Sequence, residues 1–287
     1  MSMPKTPTRR EMIKVCSDAG RKARQWFGRK NPVEYKNGDN TPLTMADKEV
    51  NRHLLSWVTT NFPELWFISE EGNGGAADSD WRIVVDPIDG TYPFTYGLPV
   101  FSVVMTLMHE LEPICTVIHD PMLNRTWSGG GGRGVFYEDT TGEISISAIS
   151  GAQDIQPSVQ IVKWAEIISK IDLYKVEKLL ETRHQGEDRI TSLNAGTLAL
   201  MAGPMAEGKM SATVFAGDFA RETVAMQCLL EGLGFVCTDL DGVPLQYELG
   251  QRSDGSLDIM LPNGAVIGRP EIHYLLLQVI EEVRSGI

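Results

Sequence analysis

The 287-residue chain is poor in cysteine, and the four it has build nothing recognisable. Cys16, Cys115, Cys228 and Cys237 make no CxxC pair and no zinc spacing with histidine, so they read as buried, reduced thiols of a cytoplasmic protein. Long apolar runs are missing too. Stretches such as Val103 to Met108 are too short to span a bilayer, and the opening MSMPKTPTRR lacks the apolar stretch of a signal peptide. No membrane partner is expected. Basic charge is scarce: 38 acidic side chains outweigh 26 basic ones for a net charge of −12, which argues against binding a nucleic acid polymer or anionic lipid. The same excess suits a chain that gathers carboxylates around cations, and solubility alone accounts for it equally well. Internal repeats and low-complexity linkers are also absent, and a hydrophobic fraction of 42% leaves enough apolar material for a sizeable core.

Two helical stretches open the chain. Met12, Ile13, Cys16, Ala19, Ala23 and Phe27 fall at helical spacing within residues 8–28. NPVEYKNGDNTPLT then reads as an exposed loop or loose hairpin. A second helix starts at Thr44 or Met45, with Thr44 able to cap it, and Pro63 ends it. LWFIS and WRIVV look like buried strands with acids at their exits, and FSVVMTLM, PICTVIHDP and a hairpin around GGGGRG continue the strand pattern. From about residue 150 strands and helices alternate: SVQIV, a helix from Leu173 to Thr182, DRITSL, a helix opening near Ala195, another from Phe219 to Leu233, FVCTDLDGVPLQ, and a terminal helix opening at Pro270. The expectation is a layered α/β or α+β fold, with an N-terminal half over residues 1–150 and a C-terminal half over 151–287 forming one compact unit.

The most informative segment runs from Trp81 to Phe94, WRIVVDPIDGTYPF. A buried strand delivers Asp86 to its carboxyl end, Pro87 stops the pairing, and Asp89 follows three residues on with Gly90 and Thr91 behind it. Such a turn can aim two carboxylates at one point, while the Gly-Thr amides can face an anion. Clustered Asp and Glu oxygens suit a hard cation such as magnesium better than zinc, and two such ions about 3.5–4 Å apart can clamp both ends of a phosphoryl transfer. An ordinary strand-to-turn exit would use the same residues. A calcium loop of the EF-hand type, with its acids at alternate positions, is absent, and GGGGRG lacks the lysine of a P-loop. Phosphatases with an aspartate nucleophile place their two acids two residues apart; the spacing of three here favours direct attack by water.

DPIDGT after its W-x-I-V-V strand, the upstream Glu70-Glu71 and the later Asp218 before a helix resemble the inositol monophosphatase family. Thr44-Met45-Ala46-Asp47, Ser69-Glu70-Glu71-Gly72, Leu98-Pro99-Val100-Phe101, Asp120-Pro121, Gly196-Thr197, Asp218-Phe219-Ala220, Glu231-Gly232-Leu233-Gly234 and Thr238-Asp239 resemble further family elements in the same order. The resemblance implies a layered αβαβα sandwich, a homodimer, and a site with two or three Mg²⁺ ions. A first ion would be held by Glu70, Asp86 and the Ile88 carbonyl, and a second by Asp86, Asp89 and Asp218. A third would sit near Glu70 and the loop from Lys36 to Asp39. Asp47, Glu70 and Thr91 would be the catalytic residues, with Asp47 and Thr91 orienting or deprotonating water. Asp89, Gly90, Thr91, Gly196 and Thr197 would receive the substrate. From the residues alone, Asp47 can equally begin a helix and Asp218 can equally cap one; Glu71 reads as solvated or supporting.

Several positions depart from the family pattern. Gly217 stands where a tryptophan is usual, Tyr92-Pro93-Phe94 replaces T-x-N-F, Asn51 replaces a common Glu, and Arg221-Glu222 puts long charged chains where small residues are usual. MSATVFA (residues 210–216) lacks the acid that inositol-specific members use to accept a ring hydroxyl, which weakens the expectation of strict inositol specificity. The implied activity is phosphomonoester hydrolysis of a small phosphorylated polyol or sugar. Histidinol phosphate, fructose 1,6-bisphosphate and 3′(2′),5′-bisphosphate nucleotides are the alternatives, the first and last because DNTPLT resembles the S-P-V-T version of their phosphatases. The resemblance also implies lithium sensitivity. A non-catalytic relative that binds a phosphorylated ligand is the alternative of another class.

Overall fold

The computed structural model describes residues 3–29, 33–35, 42–146, 157–163, 171–183, 189–252 and 255–286. Helix α1 (Arg9–Trp26) starts at a capping box in which Thr8 and Glu11 satisfy each other's backbone amides, and buries Met12, Ile13, Cys16, Ala19 and Ala23 along one face. Strands β1 (Val33–Tyr35) and β2 (Pro42–Thr44) pair as the expected hairpin, and Thr44 caps α2 (Met45–Asn61). The chain then lays down β3 (Trp66–Ser69), β4 (Gly74–Gly75) and β5 (Trp81–Asp89). After the short helix α3 (Thr91–Thr95) come β6 (Ser102–His109), β7 (Glu112–Asp120), β8 (Arg125–Gly129), β9 (Val135–Asp139) and β10 (Gly142–Ile146). These last eight strands form one sheet in the order β10-β9-β8-β7-β6-β5-β3-β4, mostly antiparallel, with β3 and β5 parallel.

The second half supplies β11 (Ser158–Val162), α4 (Leu173–Arg183), β12 (Thr191–Leu193), α5 (Ala202–Ala206), β13 (Ala212–Phe215), α6 (Ala220–Leu230), β14 (Val236–Thr238), β15 (Glu248–Gln251), β16 (Leu257–Met260), β17 (Ala265–Gly268) and α7 (Pro270–Ser285). Strands β12, β11, β13, β17 and β14 form the second large sheet in that order. The helix expected near Ala195 begins later, as a 3₁₀ turn at Ala199–Met201 running into α5. Residues 194–198 are drawn instead into contacts with the β5 exit, as set out below. The expected seam near residue 150 lies outside the described residues.

Strand alternation explains the layers. In β5, Ile83 and Val85 pack with α1 and α2 residues such as Met12 and Val50, while Val84 points the other way, into a core shared with Val224 and Leu229 of α6 and with Phe215 and Ile267 of the second sheet. The far face of that second sheet, carrying Val159, Ile161, Val214 and Val266, packs against Val176 and Leu180 of α4 and Leu276 and Val279 of α7. The result is the αβαβα sandwich, with α5 and α6 as its middle layer. All four cysteines are buried free thiols, and among the described residues no helix is long and apolar enough to cross a membrane.

Candidate metal centre

The pairing of β5 with β6 runs in register to Asp86, then shifts before resuming at Asp89. That irregularity, at the Pro87 that cannot donate to the ladder, is what brings both carboxylates to one end of the sheet. Asp86 shares the side of Val84 and faces the middle layer. Its Oδ1 accepts the Ile88 amide at 3.0 Å. Asp89 is held by four donors: the amides of Leu198 (2.8 Å) and Leu200 (3.0 Å), the hydroxyl of Ser102 (2.9 Å) and the hydroxyl of Thr197. Gly90 has φ 93°, and a Cβ there would stand 2.8 Å from the Val100 carbonyl and 3.1 Å from the Thr197 Cβ, so only glycine fits between them. Thr91 donates its hydroxyl to the Ile88 carbonyl at 3.0 Å, and Gly196 lies against the Pro93 ring. Gly196 and Thr197 therefore meet the Asp89–Pro93 turn across more than a hundred residues.

Asp47 sits at the third position of α2. Its Oδ2 accepts the Thr44 amide at 2.8 Å and the Thr44 hydroxyl at 2.5 Å, completing a capping box. Its helix-starting role and its place in the site thus coexist: Oδ1 is buried with no hydrogen-bond partner, and carboxylate oxygens of Asp47, Glu70 and Glu71 all lie within 4.8 Å of one another. Glu71, read from the sequence as solvated or supporting, is half-buried in this group. Glu70 also pairs with Arg221 at 3.3 Å. Asp258 lies beneath that pair, bonded to both Arg221 and Arg252, and Arg252 donates to the Glu70 carbonyl at 2.7 Å.

A second group comprises Asp86, Asp89 and Glu222, again with ligand atoms mutually within 4.8 Å. Glu222, on the first turn of α6, was not assigned a role from sequence. The signal was there, since a long acid replaces a small residue close to Asp218, but its direction depends on the helix. Asp218 itself is exposed, in neither group, and its Oδ1 accepts the amides of Leu261 (2.8 Å) and Ala220 (3.3 Å). Gly217 explains the local path: its φ of 120° is a conformation that a tryptophan would not adopt without strain. The Lys36–Asp39 loop implied for a third ion lies outside the described residues.

Burial dominates the electrostatics. Asp47, Asp86 and Asp89 are at most 3% exposed and Glu222 is 8% exposed. Burial, with help from Glu71 and Glu70, pushes the Asp47 carboxyl up to about 7 against the Thr44 hydrogen bonds. Glu222 is also raised by burial to about 7, opposed by Arg221 and reinforced by Asp89 and Glu70. Asp86 is raised by burial and then by Glu70, Glu222 and Asp89; Asp89 is raised by burial against its four donors. The Arg221 guanidinium loses hydration on burial, yet Asp258, Glu70, Glu222 and Asp86 hold it firmly charged. So many like charges in a dry site favour the carboxylate form only when a cation joins them. The donor set is all oxygen, and Asp47 Oδ1 and Glu222 Oε2 are buried without a partner. The residues fit a hard divalent cation.

Fold and site together define a layered α+β protein whose sheet exits converge on two acidic groups suited to metal. The chain belongs to the inositol monophosphatase family, whose model matches residues 5–284; its members are metal-dependent phosphatases. A 3′(2′),5′-bisphosphate nucleotidase CysQ of Aggregatibacter actinomycetemcomitans is 28% identical over 83% of this chain and 86% of its own. An inositol-1-monophosphatase of Mesorhizobium japonicum is 24% identical over 96% of each. A histidinol-phosphatase of Chlorobaculum parvum is 27% identical over 52% of this chain; the match spans 58% of that relative, and 52% of a Thermotoga maritima fructose-1,6-bisphosphatase/inositol-1-monophosphatase. In fold, the chain is similar to a Thermotoga maritima IMPase, with a TM-score of 0.75, 23% identity and 96% of each chain covered.

Proposed function

We propose that this chain is a Mg²⁺-dependent phosphomonoesterase that hydrolyses a small phosphorylated polyol or sugar by attack of water. The observation that carries the reading is the pair of acidic groups with orphaned buried oxygens beside the Gly90–Thr91 turn. Asp86 and Glu70, with the Ile88 carbonyl, would hold one ion, and Asp86 and Asp89 would take part in holding a second. Bound Mg²⁺ would neutralise the phosphate and acidify an attacking water. The chain's own residues do the rest. Asp47, with a free Oδ1 and a carboxyl poised near neutrality, is suited to accept a proton from that water. Thr91 presents its hydroxyl beside the same turn, and the Gly90 and Thr91 amides would face the phosphate. Gly196 and Thr197 line the turn from the other half of the chain.

The strand β13 carries Ala212–Phe215 with no acid and is buried, which argues against strict specificity for myo-inositol phosphate within the same chemistry. Histidinol phosphate, fructose 1,6-bisphosphate and a 3′(2′),5′-bisphosphate nucleotide are second readings, supported by the names of relatives. A cytoplasmic homodimer inhibited by lithium completes the proposal. Phosphate release from inositol 1-phosphate and these three substrates, with and without Mg²⁺ and beside Asp86→Asn, tests it. Release that needs both the metal and Asp86 is the expected result. A folded protein releasing phosphate from none would turn the reading towards a phosphate-ligand-binding relative, and release without metal would overturn the Mg²⁺ dependence.

A further inference from the structure

Asp89 and Glu222 sit side by side, yet their oxygens are in opposite conditions. Asp89 receives Thr197, Leu198, Leu200 and Ser102, three of them on Oδ2, so most of its lone pairs already serve the protein. Glu222 is 8% exposed, and its Oε2 has no hydrogen-bond partner. Arg221 offsets part of this charge but gives that oxygen no hydrogen bond: its two terminal nitrogens go to Glu70 and Asp258. A buried carboxylate oxygen left without a partner is costly, and the Glu222 carboxylate places one of its oxygens within 4.8 Å of an oxygen of Asp86 and one of Asp89. Asp218, by contrast, is exposed, outside the group, and committed through Oδ1 to the Leu261 and Ala220 amides.

We infer that Glu222 is a protein ligand of the divalent cation at the Asp86–Asp89 position, supplying there the carboxylate that the resemblance assigns to Asp218. The inference rests on the metal-dependent reading above and changes which part of α6 delivers the ligand. The residue at the helix entrance turns outward after the left-handed Gly217, and one turn further on a longer side chain reaches back to the same place. The extra methylene of glutamate over aspartate fits a ligand that starts from deeper in the helix.

Mn²⁺ binding followed by electron paramagnetic resonance reads the metal without relying on turnover. Wild type, Glu222→Gln, Asp218→Asn and Asp86→Asn would be titrated at one pH, each checked for its circular dichroism. The expected result is loss of one Mn²⁺ equivalent, or at least a tenfold weakening, in Glu222→Gln and less than a threefold change in Asp218→Asn. Unchanged binding in Glu222→Gln, or loss in Asp218→Asn with retention in Glu222→Gln, overturns the inference while leaving the metal-dependent reading intact. Unchanged binding in Asp86→Asn sinks that reading and the inference with it. Anomalous scattering from wild-type crystals soaked in Mn²⁺ needs no variant: a peak at ligand distance from Glu222 supports the assignment, and one bound by Asp218 instead refutes it.

Discussion

The exit of β5 and the entrance of α6 bring acids to the same place by opposite means. At the β5 exit, the pairing shift, the tight Gly90 and four donors on Asp89 fix the turn from several directions at once. At the α6 entrance, Asp218 is exposed with two amides on one oxygen, and Glu222 is buried with an oxygen unpaired. The first region is built to hold its shape without a ligand. The second acquires a full set of partners only when something positive arrives. A site of this kind keeps its frame rigid on one side and reserves its binding energy on the other.

The largest effect separating the two is expected from Asp89→Ala. It strands Thr197, Leu198, Leu200 and Ser102 donors in the interior, each worth roughly 1–3 kcal/mol, so urea unfolding should show a loss of about 4 kcal/mol or more. A loss under about 1 kcal/mol would show the β5 turn to be no better anchored than the α6 entrance. Next is pH. Asp47 keeps a proton in the folded chain up to about 7, whereas its unfolded value is near 3.8. Its contribution to stability is therefore full below the unfolded value and is lost as pH rises through the folded one. Without metal, the melting temperature should fall between pH 5 and pH 8, by several degrees given about 2–4 °C per kcal/mol for a domain of roughly this size. Asp47→Asn should flatten the fall, and Mg²⁺ should oppose it. A melting temperature that rises over this range would contradict the assignment.

Gly90→Ala should cost about 2 kcal/mol, from a left-handed φ and a Cβ 2.8 Å from the Val100 carbonyl; a melting temperature equal to that of wild type would show that the turn can yield. Smallest of all, Asp218→Asn retains an acceptor oxygen for Leu261 and Ala220 at the surface and should shift stability by less than about 1 kcal/mol. A larger shift in thermal melting would mean that the α6 entrance is as tightly determined as the β5 exit.

The β5 side was legible in the sequence because its signals are local. Ile83, Val84 and Val85 announce a buried strand, and Pro87, Gly90 and the two aspartates fall within five residues of its end. Thr44 and Asp47 announce a helix start in the same way. The partners of Asp89 were less legible: Thr197, Leu198 and Leu200 lie more than a hundred residues away, and their pull delays the helix expected near Ala195. The inward reach of Glu222 and the exposure of Asp218 were not legible at all. They follow from the φ of Gly217 and the phase of α6 against two sheets, which no window of sequence contains. Arg221 and Glu222 stood out only as charges where small residues are usual.

Helix α6 has one more consequence. Ten of its eleven residues are buried, Arg221 being the exception, because the helix lies between the two large sheets rather than on either outer surface. A helix covered on both sides cannot complete its packing until both sheets exist, so its docking belongs late in folding and its opening demands that the sheets part. Its backbone amides should be among the slowest in the molecule to exchange with deuterium. The segment carrying Arg221 and Glu222 thus presents its charges from the least yielding part of the chain, and a cation meeting Glu222 encounters a fixed post rather than a moving arm.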